Sequence, residues 1–201
     1  MQKFFYPLKY FRLQNREKRL LDVVPTIGLS LLIWAPFYLL EGASFFRPNG
    51  FLDKILSLAG ALTGFYIAAL VAAATFVHPD LDKVIKSGPV ALVEKDNDGH
   101  KVQVALTRRE FACTIFGYLS FAALVVSIGC AIAVGLSSAK IPALLVPYKQ
   151  YIRFSIMMAY SIAISHLVVV TSLGLYYLMD RLYRHDRQVT SKKPAVTDKA
   201  A

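Results

Sequence analysis

Cysteine is nearly absent. The two present, Cys113 and Cys130, fall inside one apolar run. On a single helix they would stand about 25 Å apart at 1.5 Å per residue, too far to bridge each other. No disulfide scaffold is implied, and both read as small packing residues. Acidic residues are scarce too: 13 Asp and Glu stand against 23 Lys and Arg, a net charge of +10. In a soluble chain that excess would suggest nucleic acid. Here the basic residues lie between long apolar runs, which points to membrane orientation and contact with anionic lipid. Direct nucleic-acid binding is not expected.

Catalytic patterns are also lacking. There is no Walker A loop, no GxSxG, no HExxH and no paired-carboxylate array on a helix. Asp96-Asn97-Asp98-Gly99 begins like a calcium loop but lacks the remaining ligands and the distal Glu, so it reads as a turn. His78, Asp80 and His100 do not have the spacing of a metal set. The chain is therefore expected to be no enzyme and to need no cofactor or metal. No cleavable signal peptide stands out. The first apolar run starts only at residue 23 and lacks a small-x-small cleavage site, so it reads as a retained span. A CaaX ending and an N-terminal glycine for myristoylation are absent.

What the chain does have is apolar length. Val23–Leu40, Ile55–Val77, Phe111–Leu136 and Phe154–Met179 each approach the roughly 20 residues a helix needs to cross a bilayer. Apolar residues make up 56% of the whole, against about 45–50% in soluble proteins. The expected fold is an all-α integral membrane protein, with four transmembrane helices and a small cytoplasmic β-hairpin between the second and third. The chain divides into an interfacial amphipathic segment (1–22), helices one and two (23–77), a connection (78–110), helices three and four (111–180) and a basic tail (181–201). Residues 1–22, 78–110 and the tail carry six Lys and Arg each, whereas the other two connections carry two and three. Eighteen against five places both termini and the middle connection in the cytoplasm.

In the first segment, Phe4, Leu8 and Phe11 share a helical face among basic residues, which suggests a helix lying on the inner leaflet. In the middle connection, Val90–Lys95 and His100–Leu106 are β-prone runs around Asp98-Gly99, a hairpin signal. A lone hairpin is marginal in water, so it should pair with a second copy or with a partner protein. Val90, Leu92, Val102 and Val104 are the candidates for that pairing, and Arg181, Arg184 and Arg187 for charge contacts.

Inside the spans the loudest pattern is small residues. Gly60, Gly64, Ala68 and Ala72 recur every four residues; Ala123, Ser127, Ala131 and Gly135 do so in the third span, and Ala159 and Ala163 in the fourth. Such seams let helix backbones approach closely, within one bundle or between subunits of a homo-oligomer. His166 sits mid-span, where an ionisable group is costly. An interhelical polar clamp is the main reading, and proton sensing, gating or ligand binding the sharper one.

The overall plan resembles the KwaA family, the membrane subunits of the bacterial Kiwa antiphage system. The likeness rests on a length of 201 residues, four spans, the aromatic and basic start Met1–Tyr10, and one connection around Val90–Leu106. The resemblance implies a tetrameric inner-membrane protein that senses phage attack and recruits a cytoplasmic DNA-binding partner. Read from the residues alone, the chain is a non-enzymatic scaffold or sensor in contact with membrane lipids. A small ion channel or transporter is the alternative, motivated by His166 and the Ser161, Ser165, Thr171 and Ser172 hydroxyls.

Overall fold

Thr107-Arg108-Arg109-Glu110 shows how sharply the helices are set. The Thr107 hydroxyl accepts from the Glu110 amide at 3.2 Å, and the Glu110 carboxylate accepts from the Thr107 amide at 2.9 Å. This reciprocal box satisfies two amides that a helix start leaves unpaired. In the computed structural model, which describes residues 6–14, 16–40, 43–77, 81–82, 84, 91–95, 101–139 and 143–176, four long helices follow. They are α1 (Arg16–Leu39), α2 (Phe51–Thr75), α3 (Arg108–Gly135) and α4 (Lys149–Tyr176). All four are long and apolar enough to cross a membrane. Each begins three to seven residues before its apolar run, because the polar flank continues the helix beyond the apolar stretch.

The helices pack as a row. α2 lies along α3, α3 meets α4, and α4 lies along α1. At one end a tight loop joins α1 to α2. The Phe51 and Leu52 amides donate back to the Ser44 and Phe45 carbonyls. Asn49 turns with φ 62°, and its amide donates to the Asp53 carboxylate at 3.0 Å. At Gly50 a Cβ would lie 2.7 Å from the carbonyl oxygens of both Arg47 and Ser44, so only glycine fits. Phe45 is thereby pressed against Phe37, Phe51 and Leu52 in one core cluster. The other cluster, toward the opposite end, holds Tyr10, Tyr66, Phe111, Tyr118 and Leu119.

A small sheet accompanies the helices. Strands β2 (Ala91–Lys95) and β3 (Lys101–Ala105) pair antiparallel, with Leu92 opposite Val104 and Glu94 opposite Val102. The turn Asp96–Gly99 and Val90 lie outside the described residues. β1 (Leu13–Gln14) joins the free edge of β2, with Leu13 opposite Leu92. Two residues at one edge of the hairpin are thus paired by the chain's own N-terminal segment, and β3 is the other edge of the sheet. That segment also differs from the expected surface helix. Tyr6–Arg12 forms a 3₁₀ turn, Tyr10 is only 2% exposed within the first core cluster, and residues from Arg16 belong to α1.

Candidate functional site

Tyr10 brings the N-terminal segment onto the bundle. Its ring stacks on Tyr118 of α3, with centroids 4.6 Å apart and planes 12° apart. Its hydroxyl donates to the Asp22 carboxylate on α1 at 3.1 Å. The Tyr118 hydroxyl in turn shares a 2.9 Å hydrogen bond with Nδ1 of His166 on α4. Phe11 lies over the imidazole at 5.8 Å and meets Tyr118 edge-on at 5.2 Å. Four elements (the 3₁₀ turn, α1, α3 and α4) therefore converge on one half-buried polar cluster. His166 makes a hydrogen bond from α4 to α3. Its partner, and the roof of aromatic rings, were not foreseen.

One turn further along α4, the Thr171 hydroxyl donates to the Leu167 carbonyl at 2.7 Å. Its single proton is thus committed, so the Tyr66 hydroxyl on α2 is the donor in its 2.7 Å contact with Thr171. Ser161 and Ser172 likewise donate to carbonyls of their own helix. The hydroxyls that motivated a transport reading are largely occupied locally.

Arg109, in the first turn of α3, ties down the end of α2. Its Nε donates to Asp82 at 2.8 Å, and a terminal nitrogen donates to the carbonyls of Ala74 and Phe76 at 3.1 and 2.8 Å. A cation at a helix C-terminus satisfies carbonyls that have no partner in the helix and complements the helix dipole. The guanidinium bond also holds the Asp82 carboxyl below the usual carboxylate range.

The small-residue seams divide. Ala123 is fully buried, Ser127 is half-buried, and a Cβ on Gly60 would come 3.8 Å from the Ser127 hydroxyl. Ala72 is half-buried, while Gly64, Ala68, Ala131, Gly135, Ala159 and Ala163 face outward. The closest approaches lie elsewhere. Tyr160 donates to the Gly129 carbonyl at 2.6 Å, and a Cβ there would sit 3.1 Å from its hydroxyl. At Gly174 a Cβ would sit 3.2 Å from Ile115. Neither glycine lies in a GxxxG pattern, so periodicity could not reveal them.

Of the candidate partner residues, Leu92, Val102 and Val104 occupy the paired strands, whereas Val90, Arg181, Arg184 and Arg187 lie outside the described residues. Among the described residues, no group of three His, Cys, Asp or Glu could hold a metal ion. A mostly apolar groove of about 570 Å³ runs between α2 and α3, with Lys9 and Glu110 at one end and Leu124 among its lining. No protein-family model, curated protein or solved structure matches the chain.

Proposed function

We propose that this chain is a non-enzymatic, oligomeric scaffold or sensor of the bacterial inner membrane that recruits or regulates a cytoplasmic partner. The observation that carries this reading is the continuity of residues 10–14. Tyr10 and Phe11 sit on the Tyr118–His166 pair, and two residues later the same segment becomes the strand paired to β2. A change in helix packing at His166 is therefore delivered to the sheet over a few residues. The excess of basic residues in the first segment, the middle connection and the tail supports a cytoplasmic side for that sheet and both termini.

The outward small residues Gly64, Ala68, Ala159 and Ala163 supply the subunit contacts, since close backbone approach drives association where lipid surrounds every helix. The resemblance to the KwaA family extends the reading to antiphage defence, with a tetramer and a DNA-binding partner. Extraction into native lipid discs and mass measurement tests it. Assemblies of several 22.3 kDa chains carrying a second, soluble protein are expected. A lone chain with no companion would sink the reading.

A small channel is the second reading. It is favoured by Asp22, Tyr10, Tyr118 and His166 meeting inside the bundle. Ion flux through the purified protein in liposomes separates the two.

A further inference from the structure

Asp22, Thr26, Ser30 and Trp34 fall every four residues along α1. This is the face α1 turns toward the protein: Thr26 and Ser30 are buried, while Val24, Ile27, Leu31 and Leu32 are exposed. The helix that α1 packs along is α4. On α4, Phe154, Ser161 and Ser165 share a face by the helical repeat. Both ends of the α1–α4 seam are pinned. At one, the Trp34 ring meets Phe154 edge-on at 5.3 Å. At the other, Asp22 and His166 are joined through Tyr10 and Tyr118. Thr26, Ser30, Ser161 and Ser165 lie between these ends.

Three of those hydroxyls donate to carbonyls of their own helix, and each keeps an oxygen able to accept. Two polar atoms on the seam have no hydrogen-bond partner among the described residues although both are sealed from the surface: Ser165 Oγ and Trp34 Nε1. Ser165 is 0% exposed. Buried polar groups are nearly always satisfied by protein or by water, and hydrocarbon offers neither donor nor acceptor. The seam thus holds an unmatched donor, an unmatched hydroxyl and several spare acceptor sites along one line.

We propose that the α1–α4 seam is a water-binding cleft. A short file of water accepts a hydrogen bond from Trp34 Nε1–H, exchanges hydrogen bonds with Ser165, and uses the Ser30, Ser161 and Thr26 oxygens as further partners. A buried water makes about three hydrogen bonds, so the file draws on polar groups of both helices. The bound water brings a protic ligand to the level of His166, at one end of the seam. This inference does not depend on what the sheet recruits.

Trp34 is the only tryptophan, so its indole N–H gives one resonance in the full-length protein in lipid discs. Magnetisation transfer from water to that proton is expected, and a severalfold loss of it in Ser165→Ala but not in the lipid-facing Ile162→Val. No transfer in the unaltered protein would overturn the proposal. The melting temperature supplies a second readout. In a dry seam, Ser165→Ala removes an unsatisfied group and raises the melting temperature; in a wet one it removes a water-bonded hydroxyl and does not. A rise would overturn the proposal, and an unchanged or lower value supports it.

Discussion

The Tyr10 ring lies flat on the Tyr118 ring, 4.6 Å between centroids, so that a residue from the N-terminal segment is built into the helix bundle. Tyr10 is almost fully buried, and its hydroxyl is bonded to Asp22. Tyr10→Ala therefore removes a packed aromatic ring, at a cost of roughly 3 kcal/mol. Tyr10→Phe keeps the stack and loses one hydrogen bond, at about 1 kcal/mol. Thermal unfolding in detergent gives the order of the two. Hydrogen exchange of residues 6–14 should rise in Tyr10→Ala well before the helices respond.

The Tyr118–His166 bond should appear as a coupling. In a double-mutant cycle of Tyr118→Phe and His166→Ala, the double change should cost about 0.6 kcal/mol less than the sum of the single changes, because either one alone already removes the bond, as is usual for hydrogen bonds between membrane helices. Additive effects would mean that the two side chains act independently.

Two glycine substitutions should differ in sign. At Gly64 a Cβ meets nothing within 4 Å, so Gly64→Ala should stabilise the single chain by about 0.5–1 kcal/mol through helix propensity. If Gly64 lies in a subunit contact, the same change weakens the assembly seen by mass measurement. At Gly129 the added methyl presses on the Tyr160 hydroxyl and its bond to the Gly129 carbonyl. Overpacking then outweighs propensity, and a net loss of roughly 1 kcal/mol is expected.

The Asp82–Arg109 pair sets a pH dependence. The folded carboxyl titrates below its ordinary value because the guanidinium bonds it. Its contribution is complete above the unfolded value of about 3.9 and is lost as pH falls through the lower folded value. Asp82→Asn should flatten this acid-side decline. Arg109→Ala should be the more damaging change at neutral pH, because it also strips the Ala74 and Phe76 carbonyls of their donor. Melting temperatures between pH 3 and 7 for the three proteins check both statements.

The spans were legible because their signal is local: an apolar run of about 20 residues declares itself without reference to the rest of the chain. The start of α3 was legible in principle, since Thr107-x-x-Glu110 is a capping box. The convergence at His166 was not. Tyr10, Asp22 and Tyr118 are scattered over more than 100 residues, and nothing local marks a tyrosine that will stack on another. Periodicity found the small residues of α2 but not which side its neighbour would take. Gly64 therefore faces outward, while the unheralded Gly129 receives Tyr160. The pairing of β2 with residues 13 and 14 was hidden because two residues are too short a strand to show an alternation.

Co-purification from native membranes tests the central claim most directly, comparing the full chain with one lacking residues 90–106 and with Tyr10→Ala. The account predicts that the full chain brings down one soluble cytoplasmic protein, that the deletion abolishes it, and that Tyr10→Ala weakens it while the membrane content of the chain stays the same. Recovery of no cytoplasmic protein with the full chain, or equal recovery with the deletion, would contradict it.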